Sequence, residues 1–193
     1  MTQPRVRRTV VVAAASRHGS TAEIADRVAD RLRGVLPEPW SVCRSYPGNA
    51  WSLADADAVV LGSGIYFGRW LRPARRALQR INEHEHVWLF SSGPVSPIEA
   101  ENEQIISQDE RIASAYPHPH VTFGGCLAPS RLSRLERLAT RLVHADAGDH
   151  RDWSVIDGWA DGIADELSRT FESQPHESAD ADRAVLHPTG ERP

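Results

Sequence analysis

The sequence predicts an α/β fold: a doubly wound, five-stranded parallel sheet with helices on both of its faces. Short segments such as residues 10–15, 58–61 and 87–90 are apolar without polar alternation. Unbroken apolar runs are typical of strands buried on both faces in a parallel sheet. Segments with apolar residues at helical spacing lie between them. This alternation predicts a doubly wound sheet. We expect its strand order to be 2-1-3-4-5, an order that is common in such sheets.

The first strand and the first helix flank a short polar turn. An unbroken apolar run predicts a strand over residues 7–15. A helix is predicted over residues 20–34 because one face carries Ile24, Val28, Leu32 and Val35. The basic residues before the apolar run leave a cleaved signal peptide as an alternative, carried by Arg5, Arg7 and Arg8. We favour the strand, because the run is short for a signal peptide and the polar turn follows at once.

The turn between them is suited to anion binding. The first amides of a helix have no partner within the helix, and the helix dipole places positive charge there. Ser16, Ser20 and Thr21 can add hydroxyl donors, and Gly19 allows close approach of the backbone. The chain has neither a dinucleotide fingerprint nor a P-loop, and it contains no Lys. The turn is therefore predicted to hold one terminal phosphate, with an ordinary capped strand–helix turn as the alternative.

The remaining elements continue the alternation. Strands are predicted over residues 40–44, 57–62, 86–91 and 120–125. Helices are predicted over residues 68–81, 105–113, 132–142 and 153–171, the last with Asp152 as its N-cap. Residues 1–172 are expected to form one domain, and the polar residues 173–193 are expected to be a disordered tail.

The composition excludes several classes of protein. The chain of 193 residues suffices for one domain with a core, and its net charge of −4 argues against nucleic-acid binding. Cys43 and Cys126 are the only cysteines and would fall on opposite edges of the predicted sheet, too far apart to bridge. We therefore expect a cytoplasmic protein without a disulfide.

Three turns are predicted to meet at the carboxyl ends of the strands, where doubly wound sheets bind ligands. They lie in residues 16–21, 63–70 and 91–96. Residues 16–21, Ser-Arg-His-Gly-Ser-Thr, resemble the S/T-x-x-G-x-T loop that holds the FMN phosphate in flavodoxins. Residues 62–70, Gly-Ser-Gly-Ile-Tyr-Phe-Gly-Arg-Trp, resemble a loop of the flavodoxin-domain family that includes the menaquinone-dependent protoporphyrinogen dehydrogenases. With Phe123-Gly124-Gly125 and Gly148-Asp149, the resemblance covers about residues 7–170.

The resemblance implies a flavodoxin-like fold with FMN as the cofactor and no metal. The predicted cofactor-binding residues are Ser16, Arg17, His18, Gly19, Ser20, Thr21, Ser63, Gly64, Ile65, Tyr66, Phe67, Gly68, Ser91, Ser92, Gly93, Pro94 and Val95. Tyr66 is the best candidate for stacking on the flavin, because Trp70 also fits the apolar face of the predicted helix. No catalytic acid or base is predicted, since the flavin carries the chemistry.

The charges of the turns predict how the flavin is reduced. The turns carry Arg17, His18 and Arg69 and no acidic residue. Positive charge near the flavin stabilises its reduced anion, so we expect a higher potential and more two-electron behaviour than a carrier shows. The alternative is that these side chains point into solvent. The third turn lacks the aromatic residue of many flavodoxins, which leaves one flavin face open to a substrate.

The first functional hypothesis is an FMN-dependent oxidoreductase similar to the menaquinone-dependent protoporphyrinogen dehydrogenases of haem synthesis. Electrons would pass from a small-molecule or protein donor through FMN to a quinone or another acceptor. Residues 94–116 are acidic, whereas a tetrapyrrole with propionates would favour basic residues, so the reducing substrate stays open. The alternatives are a flavodoxin-type one-electron carrier and a flavodoxin-fold binding or regulatory module without FMN.

Two further patterns have less specific interpretations. Paired histidines, His84 with His86 and His118 with His120, lack a third ligand at zinc-like spacing, so we expect solvated loop histidines. A helix between Ser130 and Val143 places arginines opposite its leucines. It is expected to cover the sheet with a solvated face, and a peripheral contact with the anionic inner face of the membrane is the alternative.

Overall fold

The computed structural model describes residues 7–49, 53–66, 68–81, 86–93, 118–127 and 148–172. Its strands and helices, in chain order, are β1 (Arg8–Ala15), α1 (Ser20–Val35), β2 (Trp40–Ser45), β3 (Ala58–Tyr66), β4 (Arg69–Trp70), α2 (Arg72–Leu78), β5 (Val87–Gly93), β6 (Val121–Gly124), β7 (Cys126–Leu127), β8 (Gly148–Asp149) and α3 (Trp153–Glu172).

Five of these strands form the predicted parallel sheet. They lie in the order β2-β1-β3-β5-β6, which is 2-1-3-4-5 when only the parallel strands are numbered. The predicted strand order is therefore confirmed. Residues 10–15, whose alternative was a signal peptide, lie within β1 and pair with β2 on one side and β3 on the other.

Each face of the sheet carries an apolar layer. Val10 and Val12 of β1 pack on one face with α1 and α3. Val11 and Ala13 pack on the other face with α2. Successive side chains of a strand point to opposite faces, so one unbroken apolar run serves both layers. The prediction of helices on both faces is confirmed.

The long helices follow the apolar periodicity closely. α1 buries Ile24, Val28 and Leu32, as predicted. Val35 is 40% exposed, so its predicted place on the buried face is wrong, because the helix ends at this residue. At the start of α3, Asp152 Oδ1 accepts a hydrogen bond of 3.0 Å from the backbone N–H of Ser154, which confirms the predicted N-cap.

The segment after residue 62 differs from the prediction. Residues 63–66 continue β3 instead of forming a turn, and β4 pairs with them in an antiparallel hairpin. Gly68 makes the turn with φ 69°, a conformation that favours glycine. The predicted helix over residues 68–81 consequently begins only at Arg72, with Pro73 in its first turn. Trp70 belongs to this hairpin, where its pairing with Ile65 overrides its helical spacing.

A second short antiparallel pair, β7 with β8, was also not predicted. Two strands of two residues carry no periodicity that a sequence can reveal. The predicted helices over residues 105–113 and 132–142, the segment between Ser130 and Val143, and the predicted tail over residues 173–193 lie outside the described residues. Among the helices of the described residues, none has the length and apolar character needed to cross a membrane.

Candidate functional site

The carboxyl ends of β1, β3 and β5 lie side by side. Ala15 pairs with Ser63, and Ser63 pairs with Ser91. The three segments predicted to bind a ligand therefore leave the sheet at the same edge, next to the point where the strand order reverses. β6 adds the residues that follow Gly124 to this edge.

The turn from β1 to α1 is held by its own backbone and one hydroxyl. Gly19 is the residue before the helix and has φ 95°, a conformation that disfavours any side chain. Its N–H donates to Ser16 Oγ at 3.0 Å, and its carbonyl accepts the N–H of Glu23 at 2.9 Å. No side chain caps the start of α1. The partial positive charge of the first-turn amides is therefore presented by this turn.

Two hydroxyls of the turn tie it to neighbouring strands. Ser20 Oγ accepts the N–H of Cys126, just after β6, at 2.8 Å. Thr21 Oγ1 and Ser92 Oγ of β5 share a buried hydrogen bond of 2.7 Å. The structure thus brings predicted residues of the first and third turns into direct contact. A hydroxyl that accepts a hydrogen bond keeps its own proton for donation, so Ser16 and Ser20 can still donate to a ligand.

Gly64 of β3 lies next to the contact between Thr21 and Ser92, and we call this meeting point of the three segments the junction. A Cβ at Gly64 would lie 3.1 Å from Thr21 Oγ1 and 3.0 Å from Tyr66 Cε2. A side chain at Gly64 would therefore press on Thr21 and Tyr66, where the first and second segments meet.

Tyr66 lies beside the turn of residues 16–21, which we call the phosphate-type turn. Its ring centroid is 6.0 Å from that of His18, with the two planes tilted by 54°. The guanidinium carbon of Arg17 lies over the Tyr66 ring, 5.8 Å from the centroid, which is within the range of a cation–π contact. Arg69 is exposed on β4 and pairs with Tyr66 across the hairpin. Two of the three cationic or imidazole side chains predicted at the site therefore contact Tyr66.

Ser63 and Ser91 point away from this junction, into the layer covered by α2. Both are fully buried. Ser63 Oγ accepts the N–H of Leu71 at 2.9 Å and donates to the carbonyl of Gly64 at 3.0 Å. Ser91 Oγ accepts the indole N–H of Trp70 at 2.7 Å. These hydroxyls fix the hairpin to the sheet, so the side chains of these two predicted binding residues are not directed at the phosphate-type turn.

Some of the remaining predicted residues lie in or next to the core, and the others lie outside the described residues. Ile65 packs against the layer that contains Trp70, and Trp70 is only 4% exposed, so its ring is a core ring. The carbonyl of Gly93 accepts the N–H of Gly125 at 2.7 Å. The predicted residues Phe67, Pro94 and Val95 lie outside the described residues.

His118 and His120 are not the solvated loop histidines that the sequence predicts. The His118 ring stacks on Trp88 with centroids 4.5 Å apart. His120 Nε2 lies 2.9 Å from Ser91 Oγ, and burial lowers the pKa of His120 to about 4. Both rings are buried because β6 packs against β5. The His-Pro-His motif by itself does not indicate this packing. Within the described residues, no cluster of three or more side chains could hold a metal ion.

The donors around the start of α1 fit a phosphate monoester such as that of FMN. They combine first-turn amides, two hydroxyls with protons to donate and the positive charge of Arg17. No acidic residue occurs in residues 16–21. The nearest acid along the chain, Glu23, is paired with Arg151 at 2.5 Å. The arrangement therefore suits a dianion, and no group in the turn would repel it.

Comparison with known proteins agrees with this geometry. A model of the flavodoxin domain family matches residues 11–154. No curated protein matches the chain. Among solved structures, oxidised flavodoxin 2 from Bacillus cereus is 18% identical, with a TM-score of 0.54 over 82% of this chain and 99% of that chain.

Two larger proteins share the fold of this chain. The metal-soaked flavodiiron core of Flv1 from Synechocystis sp. PCC6803 is 12% identical, with a TM-score of 0.57, 84% of this chain being covered. Rubredoxin oxygen:oxidoreductase from Desulfovibrio gigas is 18% identical, with a TM-score of 0.55 and the same coverage of 84%. The chain spans only 36% and 37% of the lengths of these two proteins. The match over residues 11–154 extends through most of the sheet and all three site segments, so the chain belongs to the flavodoxin domain family, and its cofactor is FMN.

Proposed function

We propose that this protein is an FMN-dependent oxidoreductase that transfers electrons in pairs to a quinone or another acceptor. The observation that carries the proposal is the convergence of a phosphate-type turn, Tyr66 and Arg17 at the sheet edge, without an acidic residue in residues 16–21, 63–66 or 91–93. A binding site with positive charge and without acidic residues stabilises the reduced, anionic form of the cofactor.

The first role of the chain is to anchor the cofactor by its phosphate. The amides that open α1 supply partial positive charge, and Ser16 and Ser20 supply hydroxyl donors. Gly19 and Gly64 keep side chains out of this space. The buried bond between Thr21 and Ser92 fixes the turn to β5, so the anchor is rigid.

The second role is to orient the ring and to set its potential. The chemistry that FMN supplies when bound is reversible transfer of hydride equivalents or electrons. Tyr66 offers an aromatic surface, and contacts with Arg17 and His18 hold its ring. The guanidinium of Arg17 therefore lies beside the aromatic surface that is proposed to receive the ring.

A quinone acceptor is supported by the resemblance of residues 62–70 to the menaquinone-dependent protoporphyrinogen dehydrogenases. Protoporphyrinogen is the corresponding reducing substrate, and it is the first donor to assay, with quinones as acceptors. We place the protein in the cytoplasm, in keeping with its two free cysteines.

An anaerobic potentiometric titration of the FMN-loaded protein tests the proposal. We expect both electrons to enter at one midpoint potential that lies above that of free FMN. Arg17→Gln should lower this midpoint by about 20 mV, the equivalent of about 1 kcal/mol for two electrons. Arg33→Gln, which removes the same charge at the far end of α1, should leave the midpoint unchanged.

Two results would contradict the proposal. Two well-separated one-electron steps would identify a flavodoxin-type carrier. A protein that takes up no FMN from solution would identify a binding or regulatory module of the same fold.

A further inference from the structure

Five arginines form an exposed surface next to the site. Arg72, Arg75, Arg76 and Arg80 follow one face of α2 and the turn after it, and Arg69 precedes them in β4. All five are exposed. Within the described part of the chain, none of their side chains has an acidic partner. We call these five residues the basic face.

The arginines on the opposite face of the sheet, in α1 and β2, differ from those of the basic face because they form ion pairs. Arg27 and Arg31 of α1 bind Asp157 and Asp161 of α3, each through two hydrogen bonds of 2.6–2.8 Å. The remaining α1 and β2 arginines are also paired, Arg33 with Asp30 and Arg44 with Asp26. Among the described residues, the arginines of α1 and β2 therefore have acidic partners, whereas those of the basic face have none.

The basic face is unfavourable for the element that carries it. Arg72 and Arg76 are four residues apart on α2, a spacing at which like charges on a helix repel each other. Arg72 also opens α2, where the helix dipole disfavours a positive charge, and no acid occurs in the first turn. Folding therefore does not benefit from this arrangement, and an external anionic partner would relieve its repulsion.

The basic face begins at the proposed flavin site. Arg69 pairs with Tyr66 across the β3–β4 hairpin, and Tyr66 contacts Arg17 of the phosphate-type turn. A partner that covers the basic face would thus come close to the edge of the sheet where the cofactor binds. The apolar residues of α2, Ala74, Ala77 and Leu78, are buried and leave nothing to insert into a lipid layer.

We propose that the basic face docks an acidic redox protein that exchanges electrons with the FMN. This inference rests on the proposed function for the electron exchange, but the docking itself needs only the arginines. Charge complementarity across such a surface steers association and weakens with salt. With a one-electron donor, two donor molecules are oxidised for each FMN that is reduced by two electrons, and solvent supplies the protons.

The test measures docking apart from redox activity. The probe is a fluorescently labelled, acidic plant-type [2Fe–2S] ferredoxin, titrated with the full chain, with and without FMN, at low and high salt. We compare the wild type with Arg75→Gln/Arg76→Gln/Arg80→Gln. The matched control is Arg27→Gln/Arg31→Gln/Arg33→Gln, which removes the same charge from the opposite side. Circular dichroism verifies that both variants are folded.

We expect the wild type to bind ferredoxin, with an affinity that falls at least about tenfold from low to high salt. The basic-face variant should lose about tenfold in affinity at low salt, and the control should stay within about twofold of the wild type. Equal losses in both variants, or binding independent of salt, would overturn the proposal. Binding to phosphatidylserine vesicles without binding to ferredoxin would replace the acidic protein by a membrane. A protein that fails to load FMN but still binds ferredoxin would refute the proposed function and leave the docking surface standing.

Discussion

The buried hydroxyl pair of Thr21 and Ser92 connects the phosphate-type turn to β5. Ser92→Ala removes the partner of Thr21 Oγ1. We expect a loss of about 1 kcal/mol in the free energy of unfolding, typical of one neutral hydrogen bond, together with weaker FMN binding. Chemical denaturation and FMN titration measure the two effects.

The matched control lies at the other end of the same sheet. Thr9 Oγ1 and Ser41 Oγ form a second hydroxyl pair at 3.3 Å, near the amino end of β1. Because Ser41 Oγ also donates to the carbonyl of Arg8 at 3.1 Å, Ser41→Ala should cost at least as much stability and leave FMN affinity unchanged. Equal effects of the two variants on FMN affinity would show that the Thr21–Ser92 bond has no specific role at the site.

Gly64 tests the close approach of β3 to the turn. The new methyl group of Gly64→Ala would press on Thr21 and Tyr66. We expect at least about a tenfold loss of FMN affinity, equivalent to about 1.4 kcal/mol. Gly162→Ala in α3, where a Cβ meets nothing within 4 Å, should instead stabilise the fold by about 0.5–1 kcal/mol. Unchanged FMN binding by Gly64→Ala would remove this junction from the site.

His120 makes stability depend on pH. Burial lowers its pKa from 6.5 to about 4 in the folded state, so the unfolded chain binds the proton more tightly. This contribution is complete above pH 6.5 and is lost as the pH falls towards 4, on the order of 2 kcal/mol for this half-buried ring. Denaturation between these pH values should show the loss in the wild type and not in His120→Gln. An identical slope in both would exclude His120 as its source.

At the scale of elements, strands and helices could be predicted from the sequence where an apolar pattern extended over many residues. β1, α1 and α3 could be predicted almost to the residue, because a buried strand and an amphipathic helix leave unmistakable patterns. The β3–β4 hairpin could not, because two residues of antiparallel pairing carry no period and Trp70 fits a helical face equally well. The glycine at position 68, with its positive φ, was the available signal.

The site was predictable to a similar degree. Motifs in residues 16–21 and 62–66 pointed to segments that meet at the sheet edge, although residues 63–66 belong to β3 and not to a turn. Which face each serine occupies could not be foreseen, because it depends on the register of β3 and β5: Ser92 faces Thr21, whereas Ser63 and Ser91 face the opposite layer. Burial of His120 depends likewise on pairing between strands that are distant in sequence.

The two ion pairs between α1 and α3 allow a prediction about how these helices are held together. Arg27–Asp157 and Arg31–Asp161 are exposed and open to salt screening. Asp157→Asn/Asp161→Asn should lower the melting temperature slightly at low salt and not at high salt. A large decrease that persists at high salt would mean that the two ion pairs contribute by packing and not by charge.

At the scale of the whole molecule, the described residues carry paired and unpaired charges on different faces of the sheet. Ion pairs join α1 to α3 on one face, whereas the basic face, on the side of α2, has no acidic partner among the described residues. A partner that docks there as proposed would lie next to the proposed cofactor site.

Residues 16–21 are proposed to bind the phosphate of FMN. The most direct measurement compares the dissociation constants of FMN and riboflavin, which differ only in that phosphate, by fluorescence quenching. We predict that FMN binds at least about a hundredfold more tightly, because the phosphate gains several charge-assisted hydrogen bonds. Equal affinities for the two flavins would contradict this role of residues 16–21, since the turn would then contribute nothing to recognition.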